Sequence, residues 1–139
     1  MTPITLAVED DVGEAVVRSV VAQCEIDVEI EQCLQKRGKG YLLERSGHLN
    51  RAAHGGVKSL ILADADSDKC PVDICAEWFP QGKSQNLAFR LATREGEAWL
   101  LADAVGIAEF LGIPEGRVDA EPEALIDPKR TLVDLARRS

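Results

Sequence analysis

The chain has 139 residues, of which 45% are hydrophobic and 29% are charged, a composition typical of one soluble globular domain. No apolar run approaches the roughly 20 residues that a membrane span needs, and the N-terminus lacks the basic region that opens a signal peptide, so we expect a cytoplasmic protein without membrane association. The formal net charge is −8 and the basic residues are distributed along the chain, so we expect the protein alone to bind nucleic acid weakly.

The first predicted elements are a strand and a helix joined by acids. Residues 4–8, ITLAV, form a continuous apolar run typical of a buried strand. Glu9, Asp10 and Asp11 follow, and from Val12 onward apolar residues recur at helical spacing. For Asp10 and Asp11 we favour helix capping, because negative charge is favourable at a helix N-terminus.

The middle of the chain predicts two more strands around a helix. Residues 25–32 alternate between apolar and charged side chains, which predicts a strand at the sheet edge. Residues 36–56 predict a loop and then a short helix that ends at two glycines. Residues 57–66 form a second apolar strand, and it also ends on acids, Asp64 and Asp66.

The last part predicts a short helix over 73–79, a strand over 86–95, one continuous helix over 97–112 and a final helix that begins at Pro128.

Within the predicted helix 97–112 we expect Trp99 to pack in the core. Two roles are open for Arg94: contact with a functional site or a salt bridge with a neighbouring acid.

Strands that alternate with helices predict an α/β sandwich with a mainly parallel central sheet flanked by helices, in a single domain spanning 1–139. Ligands bind such sheets beyond the carboxyl ends of the strands. Glu9 closes the first strand, and Asp64 and Asp66 close the later one. Carboxylates that converge there repel one another, and Mg²⁺ or Mn²⁺ would neutralise them.

Paired acids after a first strand are also typical of a receiver domain in signalling. A receiver needs one phosphoacceptor Asp after its third strand and a Lys-Pro after its fifth. This chain has a DxD pair instead, and Pro128 precedes Lys129. We therefore disfavour the receiver interpretation.

Four motifs carry a resemblance to a known family. An acid-turn-helix, VEDDVGE, precedes a strand-end ADAD, and AFRLATREGEAWLLAD and DPKRTL follow. With these motifs the chain resembles a Toprim-like family of unknown function related to RloB-type and OLD-type nucleases. It departs from that pattern at Asp10, where Toprim domains often have a glycine, and in a Glu9-to-Glu14 spacing that is one residue longer.

The resemblance implies a Toprim-like, Rossmann-like fold and a metal-dependent phosphodiester hydrolase with a nucleic acid substrate. It also implies an ABC/OLD-type ATPase partner in a two-part phage-defence system. A non-catalytic Toprim-like module that binds a partner protein is the alternative. The implied metal ligands are Glu9, Glu14, Asp64 and Asp66, and the implied catalytic residues are Glu95, Glu97 and Lys129.

Overall fold

The computed structural model describes residues 1–66, 69–93 and 95–138. Arg94, for which two roles were open, lies outside the described residues. The described elements follow in the order β1 (Thr2–Val8), α1 (Asp11–Gln23), β2 (Val28–Cys33), α2 (Gly38–His54), β3 (Ser59–Asp64), α3 (Pro71–Trp78), β4 (Leu87–Ala92), α4 (Glu97–Ala102), α5 (Ala104–Leu111) and α6 (Pro128–Arg137). Two short 3-10 helices, Glu115–Arg117 and Pro122–Ala124, connect α5 to α6.

The strands form one parallel sheet in the order β2-β1-β3-β4, flanked by helices. The predicted α/β fold with a parallel central sheet is therefore confirmed, and β2 lies at the edge as its polar alternation predicted. β1 pairs with β3 from Thr5 opposite Ser59 to Val8 opposite Leu62. Because the two strands are parallel neighbours, their carboxyl ends lie at the same edge of the sheet.

The central strands are apolar because both faces are covered. Leu6, Ala7 and Val8 of β1 and Ile61 and Leu62 of β3 are at most 5% exposed. A strand buried on both faces shows a continuous apolar run instead of alternation. This is why the sequence identified β1 and β3 more clearly than the other elements.

The described residues group into two compact units. The first comprises residues 1–63 and 69–91, and the second comprises residues 64–66, 92–93 and 95–138. A cluster around Leu6, Val17 and Leu62 forms part of the core of the first unit. A cluster around Leu101, Ala108 and Leu135 forms the core of the second.

The predicted helix over 97–112 is two helices. Asp103 has φ −90° and ψ 75°, outside the helical range, and its side chain accepts the backbone N–H of Gly106 at 3.0 Å. An Asp that bonds to the backbone three residues on begins a new helix in preference to extending the old one. The prediction of one continuous helix was therefore wrong at this residue.

The predicted core position of Trp99 was also wrong. Its side chain is 37% exposed and lines an open hollow beside Pro122. The buried tryptophan is Trp78, 9% exposed, whose ring lies 5.0 Å from the Phe89 ring. Trp99 lies near the start of α4, which is only six residues long, and the buried residues of this helix are Glu97, Ala98 and Leu101.

Helix α2 is longer than the short helix that was predicted. It begins at Gly38 and continues for 17 residues, because Leu42, Ser46, Leu49 and Ala53 recur on one buried face. No helix in the described part of the chain is both long enough and apolar enough to cross a membrane.

Candidate functional site

The first predicted metal ligands lie at the carboxyl edge of the sheet. Glu9 directly follows β1, and Asp64 is the last residue of β3. Glu9 is half-buried, and its backbone carbonyl accepts the N–H of Gly38 at 3.3 Å, which ties it to the start of α2. The parallel pairing of β1 and β3 accounts for two acids at the carboxyl ends of two neighbouring strands.

Asp10 has the capping role that its position suggested. Its Oδ1 accepts the N–H of Gly13 at 2.9 Å at the start of α1. The neighbouring Asp11 lies 3.0 Å from the Lys36 ammonium group. The capping expectation is thus confirmed for Asp10, while Asp11 pairs with a lysine.

Four of the predicted site residues are connected in the second unit. Asp64 Oδ1 accepts the N–H of Gly96 at 2.9 Å, which places it beside the peptide between Glu95 and Glu97. The backbone N–H of Lys129 donates to Glu95 Oε2 at 2.9 Å. The Lys129 ammonium group lies 3.7 Å from Glu97 Oε1. Three segments more than 30 residues apart in sequence therefore meet at one place.

Glu97 is the most buried acid of this cluster. Its side chain is 5% exposed, whereas that of Lys129 is 61% exposed. A buried carboxylate needs a partner, because removal from water disfavours its charged form. The lysine thus provides a compensating charge for Glu97 while its ammonium group remains in contact with solvent.

Asp66 has an unusual backbone conformation. Its φ is 57°, the only positive φ outside glycine in the described residues. Asp tolerates the left-handed region better than most residues, but the conformation still carries a cost and is frequent at functional sites. Asp66 is exposed and follows β3 by two residues.

Glu14, in the first unit, is surrounded by cations. Its carboxylate forms ion pairs with Lys36 and with Arg18. The hydrogen bond from Lys36 and then that from Arg18 lower the pKa of the Glu14 carboxyl below its ordinary value of 4.5. A divalent cation at Glu14 would have to displace Lys36, so in this conformation lysine supplies the positive charge there.

The ion pairs of Glu14 also affect the thiol of Cys33. Burial raises the pKa of Cys33, and the negative charge of Glu14 raises it further. Glu14 and Asp11 in turn raise the pKa of Lys36 above its ordinary range. The sequence contained no signal for this group, because Lys36 was placed in a loop.

The predicted ligands have the oxygen donors that a hard cation prefers, but few of them are grouped together. Among the described residues, no three His, Cys, Asp or Glu side chains are grouped closely enough to hold a metal ion. Mg²⁺ commonly binds through one or two carboxylates and completes its shell with waters and phosphate oxygens. The side-chain donors of the predicted ligands are all oxygens, the donor type that this ion prefers.

Comparison with known proteins identified no relationship. No protein-family model, no curated protein and no solved structure matches the chain. The functional argument therefore depends on the geometry described above and on the motifs of the sequence.

Proposed function

We propose that this protein is a cytoplasmic, Mg²⁺- or Mn²⁺-dependent phosphodiester hydrolase of Toprim type, with its site at Asp64, Glu95, Glu97 and Lys129. One observation carries the proposal: the contacts of Asp64 with Gly96 and of Lys129 with Glu95 and Glu97. These contacts join the strand-end acid to the two motifs that resemble the Toprim-like family. A cytoplasmic location agrees with four free cysteines, since disulfides are rare in that compartment.

Each residue has a distinct task in this proposal. Asp64 and Asp66 would hold the cation. When bound, the cation would stabilise negative charge on phosphate oxygens and activate water. Lys129 would contact a non-bridging phosphate oxygen, and Glu97 would orient its ammonium group. Glu95 would hold the start of α6 in place through the Lys129 backbone.

Metal binding is tested by calorimetric titration of the metal-free protein with MnCl₂. We expect weak binding that disappears when Asp64→Asn and Asp66→Asn are combined. Asn tolerates the left-handed conformation at position 66 and keeps a hydrogen-bond acceptor at position 64, so the double variant should fold. Undiminished binding by the double variant would refute the site.

Hydrolysis is tested with labelled single-stranded and duplex DNA and RNA, in the presence of Mn²⁺ or of EDTA. We expect metal-dependent cleavage that Asp64→Asn abolishes. Asp119→Asn is the matched control, because Asp119 also accepts a backbone N–H at 2.9 Å within the second unit but lies outside the cluster. If Asp64→Asn cleaves as well as wild type at saturating Mn²⁺, the hydrolase assignment is wrong.

A partner-binding module is the second candidate function. The side chains of Phe110 and Ile126 in the second unit are 85% and 89% exposed. Large apolar side chains in water are frequent where a protein binds another. In the two-part system that the resemblance implies, an ABC/OLD-type ATPase would be the partner.

The test is co-purification with such an ATPase from the same genome. We expect Phe110→Ser with Ile126→Ser to lose the complex while keeping the wild-type melting temperature. A complex that the double variant retains would exclude these side chains from the interface.

A further inference from the structure

Basic side chains are concentrated in one segment of this acidic chain. Residues 36–58 contain both histidines, several of the sixteen Lys and Arg residues and only one acid, Glu44. This segment includes the whole of α2 and carries a positive charge although the chain as a whole has a net charge of −8. Such an asymmetry creates a local positive potential that attracts anions.

Helix α2 presents part of this charge to a cleft. Residues spaced three or four apart line one wall, with Tyr41, Arg45 and His48 as the polar members. Gln32 and Gln35 also line the cleft. The cleft has a volume of about 550 Å³ and lies entirely within the first unit. This volume is in the range of sites for small ligands.

Two arginines are held beside the same ring. The guanidinium carbons of Arg37 and Arg45 lie 5.6 Å and 5.3 Å from the centroid of Tyr41. Cation–π attraction accounts for both contacts with the ring. One turn further along α2, Arg51 donates a hydrogen bond to His48 Nδ1 at 2.9 Å. Since Nδ1 accepts from an arginine, the remaining N–H of a neutral His48 ring is at Nε2.

These arginines lack carboxylate partners within the described residues. In the part of the chain that the structure describes, Arg37, Arg45 and Arg51 form no ion pair with Asp or Glu. By contrast, Lys36 is paired with both Glu14 and Asp11. Guanidinium groups match the oxygens of a phosphate in geometry and in charge. An anion in the cleft would give the Arg45 guanidinium the partner that it lacks among the described residues.

We propose that this cleft binds the phosphate groups of a single-stranded nucleic acid, with Arg45 as the principal contact, Arg37 as a second cation beside the ring of Tyr41, and His48 and the two glutamines as additional donors. The choice of a strand as the ligand rests on the proposed hydrolase function, whereas the arginine arrangement does not. A positive cleft of this kind would allow a protein of negative net charge to bind nucleic acid weakly, because the interaction is confined to one face.

The experiment measures fluorescence anisotropy of a labelled oligo-dT and a labelled oligo-rU with the full chain in EDTA, over a series of salt concentrations. Excluding metal separates the result from hydrolysis, so this inference and the hydrolase proposal can fail independently. We expect Arg37→Gln with Arg45→Gln to weaken binding about tenfold. The slope of log affinity against log salt should decrease by about 0.7 for each phosphate that an arginine no longer neutralises.

The matched control is Arg137→Gln with Arg138→Gln, which removes two exposed arginines at the end of the chain. Equal weakening by the two double variants would overturn the proposal, because net charge alone would then account for binding. Tyr41→Phe should bind as wild type, since the ring is kept, whereas Tyr41→Ala should weaken binding. A Tyr41→Ala variant that folds and binds as wild type would remove the ring from the argument.

Competition identifies the source of the phosphate. We expect unlabelled oligo-dT to displace the probe at far lower concentration than AMP or inorganic phosphate, because a strand offers several adjacent phosphates. If AMP competes as well as the strand, the cleft is a site for a free nucleotide and the strand assignment is overturned.

Discussion

Substitutions at Asp64 can separate its hydrogen-bonding role in the fold from its proposed role in binding the cation. Its Oδ1 accepts the N–H of Gly96, a buried residue directly before α4. A hydrogen bond to a charged acceptor contributes about 1.5–3 kcal/mol to stability, and one to a neutral acceptor about 0.5–1.5 kcal/mol. Asp64→Asn keeps an acceptor at the same position, so it should lower the free energy of unfolding by only about 1 kcal/mol.

Asp64→Ala removes the acceptor altogether. The N–H of Gly96 is then left unpaired in a buried position, which costs about 2–3 kcal/mol. For a chain of this length, each kcal/mol corresponds to a shift of roughly 3–5 °C in the melting temperature. The alanine variant should therefore melt clearly below the asparagine variant, and both should lack activity if Asp64 holds the cation.

The assay is urea unfolding followed by circular dichroism, with hydrolysis measured on the same preparations. Asp119→Ala and Asp119→Asn give the matched pair, because the Asp119 acceptor bonds to an exposed N–H. Its two variants should differ by less than the two variants at position 64. Equal stability losses for Asp64→Asn and Asp64→Ala would refute the role assigned to the Gly96 hydrogen bond.

Three further outcomes are expected. Trp78→Ala should lower the free energy of unfolding by about 3–5 kcal/mol, because the side chain is buried against an aromatic ring. Trp99→Ala should lower it clearly less in the same urea experiment, and the reverse order would contradict the burial of the two side chains. A Cβ on Gly106 would lie 2.2 Å from the capping carboxylate of Asp103. Gly106→Ala should therefore lower the free energy of unfolding less in an Asp103→Ala background than in wild type, and additive effects in the double-mutant cycle would contradict the cap. Because the pKa of Glu14 is lowered in the folded state, its ion pairs contribute stability above pH 4.5 that is lost as the pH falls through the lowered pKa. The difference in unfolding free energy between wild type and Glu14→Gln should therefore shrink on acidification, and a difference that grows would contradict the direction of the pKa shift.

The sequence by itself determined the elements whose signal is local. The runs 4–8 and 59–64 are apolar almost without interruption because both faces of a central parallel strand are covered. The final helix begins at Pro128 as predicted, and Asp127 caps it by accepting the N–H of Arg130. Such features depend on residues within a few positions of one another, so a single sequence contains them.

The local sequence pattern did not predict the structure where several structures fit the same spacing of residues. The segment 97–112 has helical periodicity throughout, yet the side chain of Asp103 competes for a backbone N–H and divides it. Trp99 was also expected in the core, whereas packing in the second unit buried Ala98 and Leu101 and left the indole partly in solvent. Which face of a short helix is covered depends on its neighbours in space, and these are not adjacent in sequence.

The candidate site divides in the same way. The acids at Glu9 and Asp64 were found from the sequence, because a residue that follows a parallel strand lies at the carboxyl edge of the sheet. Tertiary structure alone brought Lys129 to Glu95 and Glu97, since that contact requires α4 and the start of α6 to pack together across more than 30 residues. It also placed Lys36 on Glu14, where an ion pair forms only because a residue after β2 returns to the first turn of α1. Long-range contacts of this kind depend on how whole elements pack, so the spacing of residues along one element does not predict them.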